Sequence, residues 1–190
     1  MATSLSTLKA PVPEPTDHTL WLAWLDGDTD AGEAFVQRHF LSVHRFFSRK
    51  VGPAADELTQ RTFLGLIEGS AAFEGRSSIR SYLYGIARIQ LLRHFEGRGL
   101  LPENAASTSL ADLGPSPSRV VAQREGRERL HEAMMQLPLD HQLSLELHYW
   151  EGLSVQETAE ALGVAPGTIK SRLARARERL RETLGDDDGF

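Results

Sequence analysis

The chain has no cysteine. Disulfides and thiolate metal sites are excluded, and the composition fits a reducing compartment, so a cytoplasmic location is expected. No apolar run approaches the ~20 residues that a bilayer-spanning helix needs, so direct membrane insertion is not expected. Met1 to Thr16 lacks the apolar stretch of a secretory signal and carries Pro11, Pro13 and Pro15; residues 1–16 read as an extended, disordered tail. Aromatic residues make up only 7%, and the seven histidines form no His-Glu-x-x-His pattern, so no metal site is expected. Neither a Gly-rich phosphate loop nor a nucleophile–base constellation is present, which argues against an enzyme and against a bound cofactor. The net charge of −5 lacks the basic excess of a general nucleic-acid coat.

What the chain does have is helical pattern. Its 190 residues, 41% of them hydrophobic, suffice for one large or two small domains. Apolar residues recur at helical spacing almost throughout, and no segment reads as a strand. A short helix is expected over His18–Leu25, and a longer one capped by Asp28 or Thr29 runs to about Lys50 with Phe35, Phe40, Val43 and Phe47 inward. Gly52-Pro53 breaks it and starts a third helix with Leu58, Phe63, Leu64 and Ile67. After a loop at Gly69–Gly75, Ser77 or Ser78 caps a fourth helix with Ile79, Tyr82, Leu83, Ile86 and Ile89 on one side. The stretch Gly97 to Ser118 is rich in Gly, Pro and small polar residues and reads as a linker. Helical pattern resumes near Arg119 and runs to Gln136, and Pro138 opens a helix that ends at Glu151-Gly152. The expected fold is all-α: two small helical domains, residues 17–97 and 119–185, joined by a flexible linker at 98–118 and followed by an acidic tail at 186–190. Trp21, Trp24 and Trp150 are expected to pack in cores.

The most informative stretch runs from Ser154 to Leu184. Ser154 with Glu157 has the spacing of a capping box. Val155, Thr158, Ala159 and Leu162 share one face, Gly163 supplies a left-handed turn, and Pro166 starts the next helix. That is the pattern of a helix-turn-helix. The second helix has an inside of Ile169, Leu173, Ala176, Leu180 and Leu184. Its outside carries Gly167, Ser171, Ala174, Arg175 and Glu178, with Lys170 and Arg172 on the flanks. The DNA-binding candidates here are Gly167, Thr168, Lys170, Ser171, Arg172 and Arg175: small residues let the backbone approach a groove, Arg175 reads a base edge or holds a phosphate, and Lys170 and Arg172 hold phosphates. The alternative is an amphipathic helix whose arginines only keep it soluble.

Leu137-Pro138, the run His148 to Ser154 and the run Ile169 to Arg177 together resemble the C-terminal domain, region 4, of extracytoplasmic-function (ECF) sigma factors. The resemblance implies recognition of the upstream (−35) promoter element and docking on the β flap of bacterial RNA polymerase core. The N-terminal half is similar to region 2 of the same family. Glu57-Leu58-Thr59-Gln60-Arg61-Thr62-Phe63 resembles the helix that grips the β′ coiled coil, so Glu57, Leu58, Gln60, Arg61, Phe63 and Leu64 are the implied polymerase-binding residues. Phe73 to Arg88 resembles the loop and helix that open the downstream (−10) element; Phe73, Arg76, Ser77, Arg80, Tyr82 and Arg88 are the implied DNA-binding residues there. A flipped base would be captured in the polar loop Ala72 to Ser78, and Arg80 and Arg88 would hold phosphates. The chain departs from the family pattern at four places: Arg61 stands for an acidic residue, Tyr82 for Trp, Ile89 for Asn and Arg93 for Asp.

The implied function is promoter recognition and transcription initiation as a polymerase subunit, with promoter DNA, polymerase core and a regulating anti-sigma factor as partners. Two other readings are a stand-alone helix-turn-helix regulator and a degenerate sigma-like module that binds polymerase without opening DNA. Glu57–Phe63 and Phe73–Arg88 speak against the first, and Ile89 and Arg93 keep the second open.

Overall fold

A computed structural model describes residues 14–73, 75, 77–100 and 125–185. The ordered elements among them are helices: α1 (Asp17–Leu25), α2 (Thr29–Val51), α3 (Ala55–Glu68) and α4 (Ile79–Gly97), then α5 (Glu125–Met135), α6 (Leu139–Leu145), α7 (Val155–Leu162) and α8 (Pro166–Leu184). The expected disordered tail, the acidic tail, most of the linker and the start of the helix placed at Arg119 lie outside the described residues. No described helix is long and apolar enough to cross a membrane.

Helix starts follow local chemistry. The Asp28 carboxylate accepts from the Asp30 and Ala31 amides, both at 3.0 Å, and caps α2. Ser78 caps α4 by accepting from the Ser81 amide at 3.1 Å. Gly52, at φ +56°, ends α2, and Pro53 lies in the 3₁₀ turn that leads to α3. Trp21 is fully buried at the centre of the first unit, edge-on to Trp24 at 5.8 Å and to Phe73 at 6.3 Å. Gly32 is required beneath this cluster: a Cβ there would stand 2.5 Å from the Trp24 indole nitrogen.

Two apolar faces differ from the sequence expectation. On α2, Phe40 is 37% exposed while Phe46 is buried. On α4 the buried set is Ile79, Leu83, Tyr84, Ala87, Leu91 and Phe95, whereas Ile89 is 44% exposed and Tyr82 and Ile86 are half-buried. The cause is shared. The outer side of α4 is covered by α7 of the second helical unit, and Arg49 and Lys50 at the end of α2 meet Trp150 and Glu146, so burial spreads round each helix beyond the stripe that one packing partner would select. Phe46 packs on Tyr84 at 5.9 Å inside this contact.

In the second unit, the helix expected to run unbroken from Pro138 to Glu151 instead widens into a π-helical turn at Glu146–Trp150. The Glu151 amide donates to the Glu146 carbonyl at 3.0 Å, five residues back. The turn presents Glu146 and Glu151 to the first unit. It also leaves Trp150 46% exposed beneath the Arg49 guanidinium at 4.7 Å, in contrast to its expected core position. The two units meet mainly through α4 and α7, and the buried apolar residues form one continuous core.

Candidate nucleic-acid interface

The helix-turn-helix is built from α7 and α8. The Ser154 hydroxyl accepts from the Glu157 amide at 3.2 Å, and the Glu157 carboxylate accepts from the Ser154 amide at 2.9 Å, closing the capping box. The Ser154 N–H holds the Glu157 carboxyl below the usual carboxylate range. Gly163 adopts φ +63°, and the Val164 amide donates to the Ala159 carbonyl at 3.0 Å, so the chain leaves α7 through a left-handed Schellman turn. Pro166 then opens α8. Ile169, Leu173, Ala176, Leu180 and Leu184 are all buried, which fixes the rotation of α8 about its axis.

That rotation places Gly167, Thr168, Lys170, Ser171 and Arg175 in solvent along the N-terminal half of α8. Small residues and cations alternate there at the positive end of the helix dipole, which suits approach to a phosphate backbone and a groove floor. Arg172 is placed differently. It is half-buried and engaged by the Asp140 carboxylate from the start of α6, so its guanidinium braces α8 within the fold. Nothing in the sequence pairs these two residues, which lie 32 positions apart.

The candidates in the first half sit around α4. Phe73 and Tyr82 have ring centroids 5.1 Å apart, and the Tyr82 hydroxyl donates to the Gly69 carbonyl at 3.0 Å. Both rings are half-buried and brace the loop before α4. Ser77 is half-buried, and Arg76 lies outside the described residues. Arg80 donates to the backbone carbonyl of Glu151 in the second unit. Arg88 is half-buried, and its Nε is buried without a hydrogen-bond partner among the described residues. Ile89 and Arg93 are exposed on the same helix.

On α3 the six polymerase-facing candidates divide. Leu58 and Phe63 are buried at 2% and 7%, so they support the helix from within. Glu57, Gln60, Arg61 and Leu64 are exposed, with Glu57 and Arg61 paired at 2.6 Å one turn apart. Ile67, one turn beyond Leu64, is also exposed. Phe40 and Leu41 are exposed on α2, where the Phe40 ring stacks on Phe63 at 6.4 Å.

Sequence reasoning missed the polar contacts between the units. Lys50 is fully buried at the end of α2; it donates to the Phe46 carbonyl at 2.7 Å and pairs with Glu146. Burial pushes the Lys50 ammonium down from its ordinary range, and Glu146 opposes that shift. The Tyr84 hydroxyl donates to the Glu151 carboxylate, and burial followed by that charge raises the phenol's pKa.

Residues 35–100 match the Sigma-70 region 2 family, and residues 127–180 match the Sigma-70, region 4 family. The chain is 32% identical over 177 residues to the ECF RNA polymerase sigma factor SigM of Mycobacterium tuberculosis, covering 90% of this chain and 86% of that protein. It is 31% identical over 169 residues to the RNA polymerase sigma factor CarQ of Myxococcus xanthus, covering 85% of this chain and 93% of that one. Among solved structures, the fold is similar to the sigma factor RpoE in complex with the anti-sigma factor NepR from Bartonella quintana, with a TM-score of 0.62 and 23% identity over 82% of this chain and 97% of that chain. It is also similar to CnrH in complex with the cytosolic domain of CnrY, with a TM-score of 0.66 and 20% identity over 91% of this chain and 99% of that chain. The helix-turn-helix, the capped helix behind the aromatic loop and two family matches in the same order along the chain lead to one assignment: the chain belongs to the extracytoplasmic-function family of RNA polymerase sigma factors.

Proposed function

We propose that the chain recognises promoters in two places, with α8 reading the upstream element and the loop before α4 together with α4 capturing the downstream element. The observation that carries the reading is the exposed strip Gly167, Thr168, Lys170, Ser171 and Arg175 on a helix whose rotation is fixed by a buried inner face. Arg175 meets a base edge or phosphate, and Lys170 meets a phosphate. In the first half, Phe73 and Tyr82 supply an aromatic wall for an extruded base, and Arg80 and Arg88 supply phosphate contacts. Exposed Glu57, Gln60, Arg61 and Leu64 form the contact with the β′ coiled coil, Leu58 and Phe63 hold that helix in place, and region 4 docks on the β flap. The chain contributes recognition, and the chemistry of RNA synthesis belongs to the polymerase core. The functional units are residues 17–97 and 119–185, joined by the linker at 98–118.

An anti-sigma factor is the expected regulator. The exposed apolar side chains of Leu64 and Ile67 on α3 suit such a partner, as does the seam between the two units. A cross-linking map that places the partner on neither surface would remove this element of the reading.

Run-off transcription with core polymerase, this protein and fragments of its own genome tests the function. Discrete new start sites are expected, and their alignment reports what Ile89 and Arg93 do to recognition. Failure to bind core would overturn the reading in favour of a stand-alone regulator. Binding to core without initiation would favour the degenerate module.

A further inference from the structure

The π-helical turn presents two aromatic side chains that the core does not take up. Tyr149 and Trp150 are neighbours in it, 52% and 46% exposed. Turns of this kind are rare and recur at functional sites. Opposite them, on α2, Arg45 and Arg49 lie one helical turn apart, and both are exposed. Between the two walls is a cavity of about 310 Å³, bounded also by Glu146 and Glu151. That volume is at the small end of the ~300–1,000 Å³ typical of small-ligand sites, with room for one planar ring system and one anionic group.

The charges around the cavity favour an anion. Glu146 is taken by Lys50, and that pair is out of solvent. The Glu151 carboxylate accepts from the Tyr84 hydroxyl through Oε2. Against these stand Arg45 and Arg49, and neither pairs with a carboxylate among the described residues. Like charges one turn apart repel, and a bound anion would relieve that repulsion. Arg49 is held in place by Trp150, its guanidinium 4.7 Å from the centre of the ring. The Arg45 Nε donates to the Leu41 carbonyl at 3.2 Å, so the terminal N–H groups of that guanidinium remain for a ligand. Two forked donors offer more N–H groups than one carboxylate accepts, and they suit the oxygens of a phosphate. Glu151 adds an acceptor, because its Oε1 keeps lone pairs for an N–H of a base.

We propose that this cavity binds a free nucleoside monophosphate, whose base rests against Tyr149 and Trp150 and donates to Glu151, and whose phosphate meets Arg45 and Arg49. Aromatic faces and arginine forks are the usual means of holding a base and a phosphate. None of these residues belongs to the exposed strip on α8, to α3 or to α4. The site draws one wall from each helical unit, so neither unit alone contains it. The ligand is bound unchanged, and the site adds a response to a small molecule rather than a reaction.

Equilibrium dialysis of the full chain against radiolabelled AMP and GMP, with no DNA or polymerase present, tests the site. At least one of the two should saturate at about one per chain. Inorganic phosphate and the matching nucleoside should each compete at least tenfold more weakly, since each engages only part of the cavity. Arg45→Ala/Arg49→Ala should lower the affinity at least tenfold, and Tyr149→Ser should weaken binding independently. All three side chains are exposed, so both variants should keep the far-ultraviolet circular dichroism of the parent. A short single-stranded oligonucleotide carries the same chemistry from another source. If it displaces the monophosphate at tenfold lower concentration, the site belongs to a strand and the assignment to a free nucleotide is overturned. Phosphate that competes as well as the nucleotide also overturns it, because the aromatic wall then contributes nothing. So does the absence of saturable binding, or binding that both variants leave unchanged. With promoter and polymerase left out, a negative result leaves promoter recognition standing, and a chain that starts no transcripts can still pass this test.

Discussion

At the scale of single residues, the most consequential side chains are charges that solvent does not reach. Lys50 sits in a cage made by the Phe46 carbonyl, the Phe46 ring face at 4.3 Å and the Glu146 carboxylate. Its worth cannot be read from the attraction alone, because both ions lost their hydration when the units packed. The asymmetry between breaking the pair and replacing it follows. Glu146→Gln alone leaves a buried ammonium facing a neutral amide, and a loss of about 3–5 kcal/mol in urea unfolding is expected. Lys50→Met/Glu146→Met removes both charges and should recover most of that loss. A double variant no more stable than the single one would show that Lys50 is held by something other than Glu146. Lys170 and Arg175 on α8 obey different physics, since they are exposed and spend no stability on desolvation. Lys170→Ala should weaken promoter binding uniformly across sequences and lower the salt-dependence slope by about 1. Arg175→Ala, if Arg175 reads a base edge, should cost about 1–3 kcal/mol and relax preference at one base pair. Binding titrations on the upstream element at several salt concentrations separate the two. Equal effects on specific and scrambled duplexes for both variants would make Arg175 a phosphate contact.

At the scale of helices, legibility tracks how many partners an element has. The inner face of α8 was readable in full because one side packs and the other meets water, so a single stripe of Ile169, Leu173, Ala176, Leu180 and Leu184 records the geometry. The turn before it was readable because each step has local chemistry: a hydroxyl cap, a left-handed glycine, a proline start. Ser154→Ala tests the first step. It removes the acceptor for the Glu157 amide and leaves the helix otherwise intact, so a loss of about 1 kcal/mol is expected. Thermal unfolding checks it, and a loss near zero would mean that the turn is held by Gly163 and the core rather than by the cap. Where an element has two partners the stripe fails. The faces of α2 and α4 widen toward the second unit, and Phe46 and Tyr84 become buried where a one-sided reading leaves them aside. The π-helical turn was invisible for a related reason: it serves contacts with residues 96 positions away for Lys50 and 67 for Tyr84, and no local signal encodes them. Hence the exposed strip on α8 was legible, whereas the covering of α4 was not. Arg80 and Arg172 were recognised as cations; their partners at Glu151 and Asp140 come from the tertiary fold.

At the scale of the whole molecule, both units share a continuous core, so protonation in either should be felt as loss of one cooperative structure. Four histidines set the expected response; His94 is lowered by burial first and by the nearby Arg98, and the other three follow the same pattern. Burial first, with neighbouring cations contributing, holds His39, His131 and His141 below the ordinary value of 6.5; near His131 the cations are Arg49 and Lys50, and near His141 they are Arg179, Arg172 and Arg175. For His39, Asp17 at 3.1 Å pulls the other way without reversing the shift. The folded state therefore favours the neutral rings. Between each folded value and 6.5 the unfolded chain binds more protons, so stability rises with pH across that window. The contribution is complete above 6.5 and is lost as pH falls below it. Asp17 adds a lower step. Burial raises its carboxyl, but the Arg38 hydrogen bond and His39 outweigh that and hold it below 3.8, so its stabilisation persists above 3.8 and disappears under stronger acid. The urea midpoint should accordingly drop on going from about pH 7.5 to about pH 5.5, in a single transition followed equally by tryptophan fluorescence and far-ultraviolet circular dichroism. His141→Gln, which cannot gain a proton beside Arg179 and Arg172, should flatten part of that slope while leaving the upper-pH midpoint nearly unchanged. A midpoint independent of pH over this range would contradict the buried-neutral assignment. Two separated transitions would mean that the units hold together more weakly than their common core implies, and the acid-sensitive step would then identify which unit lets go first.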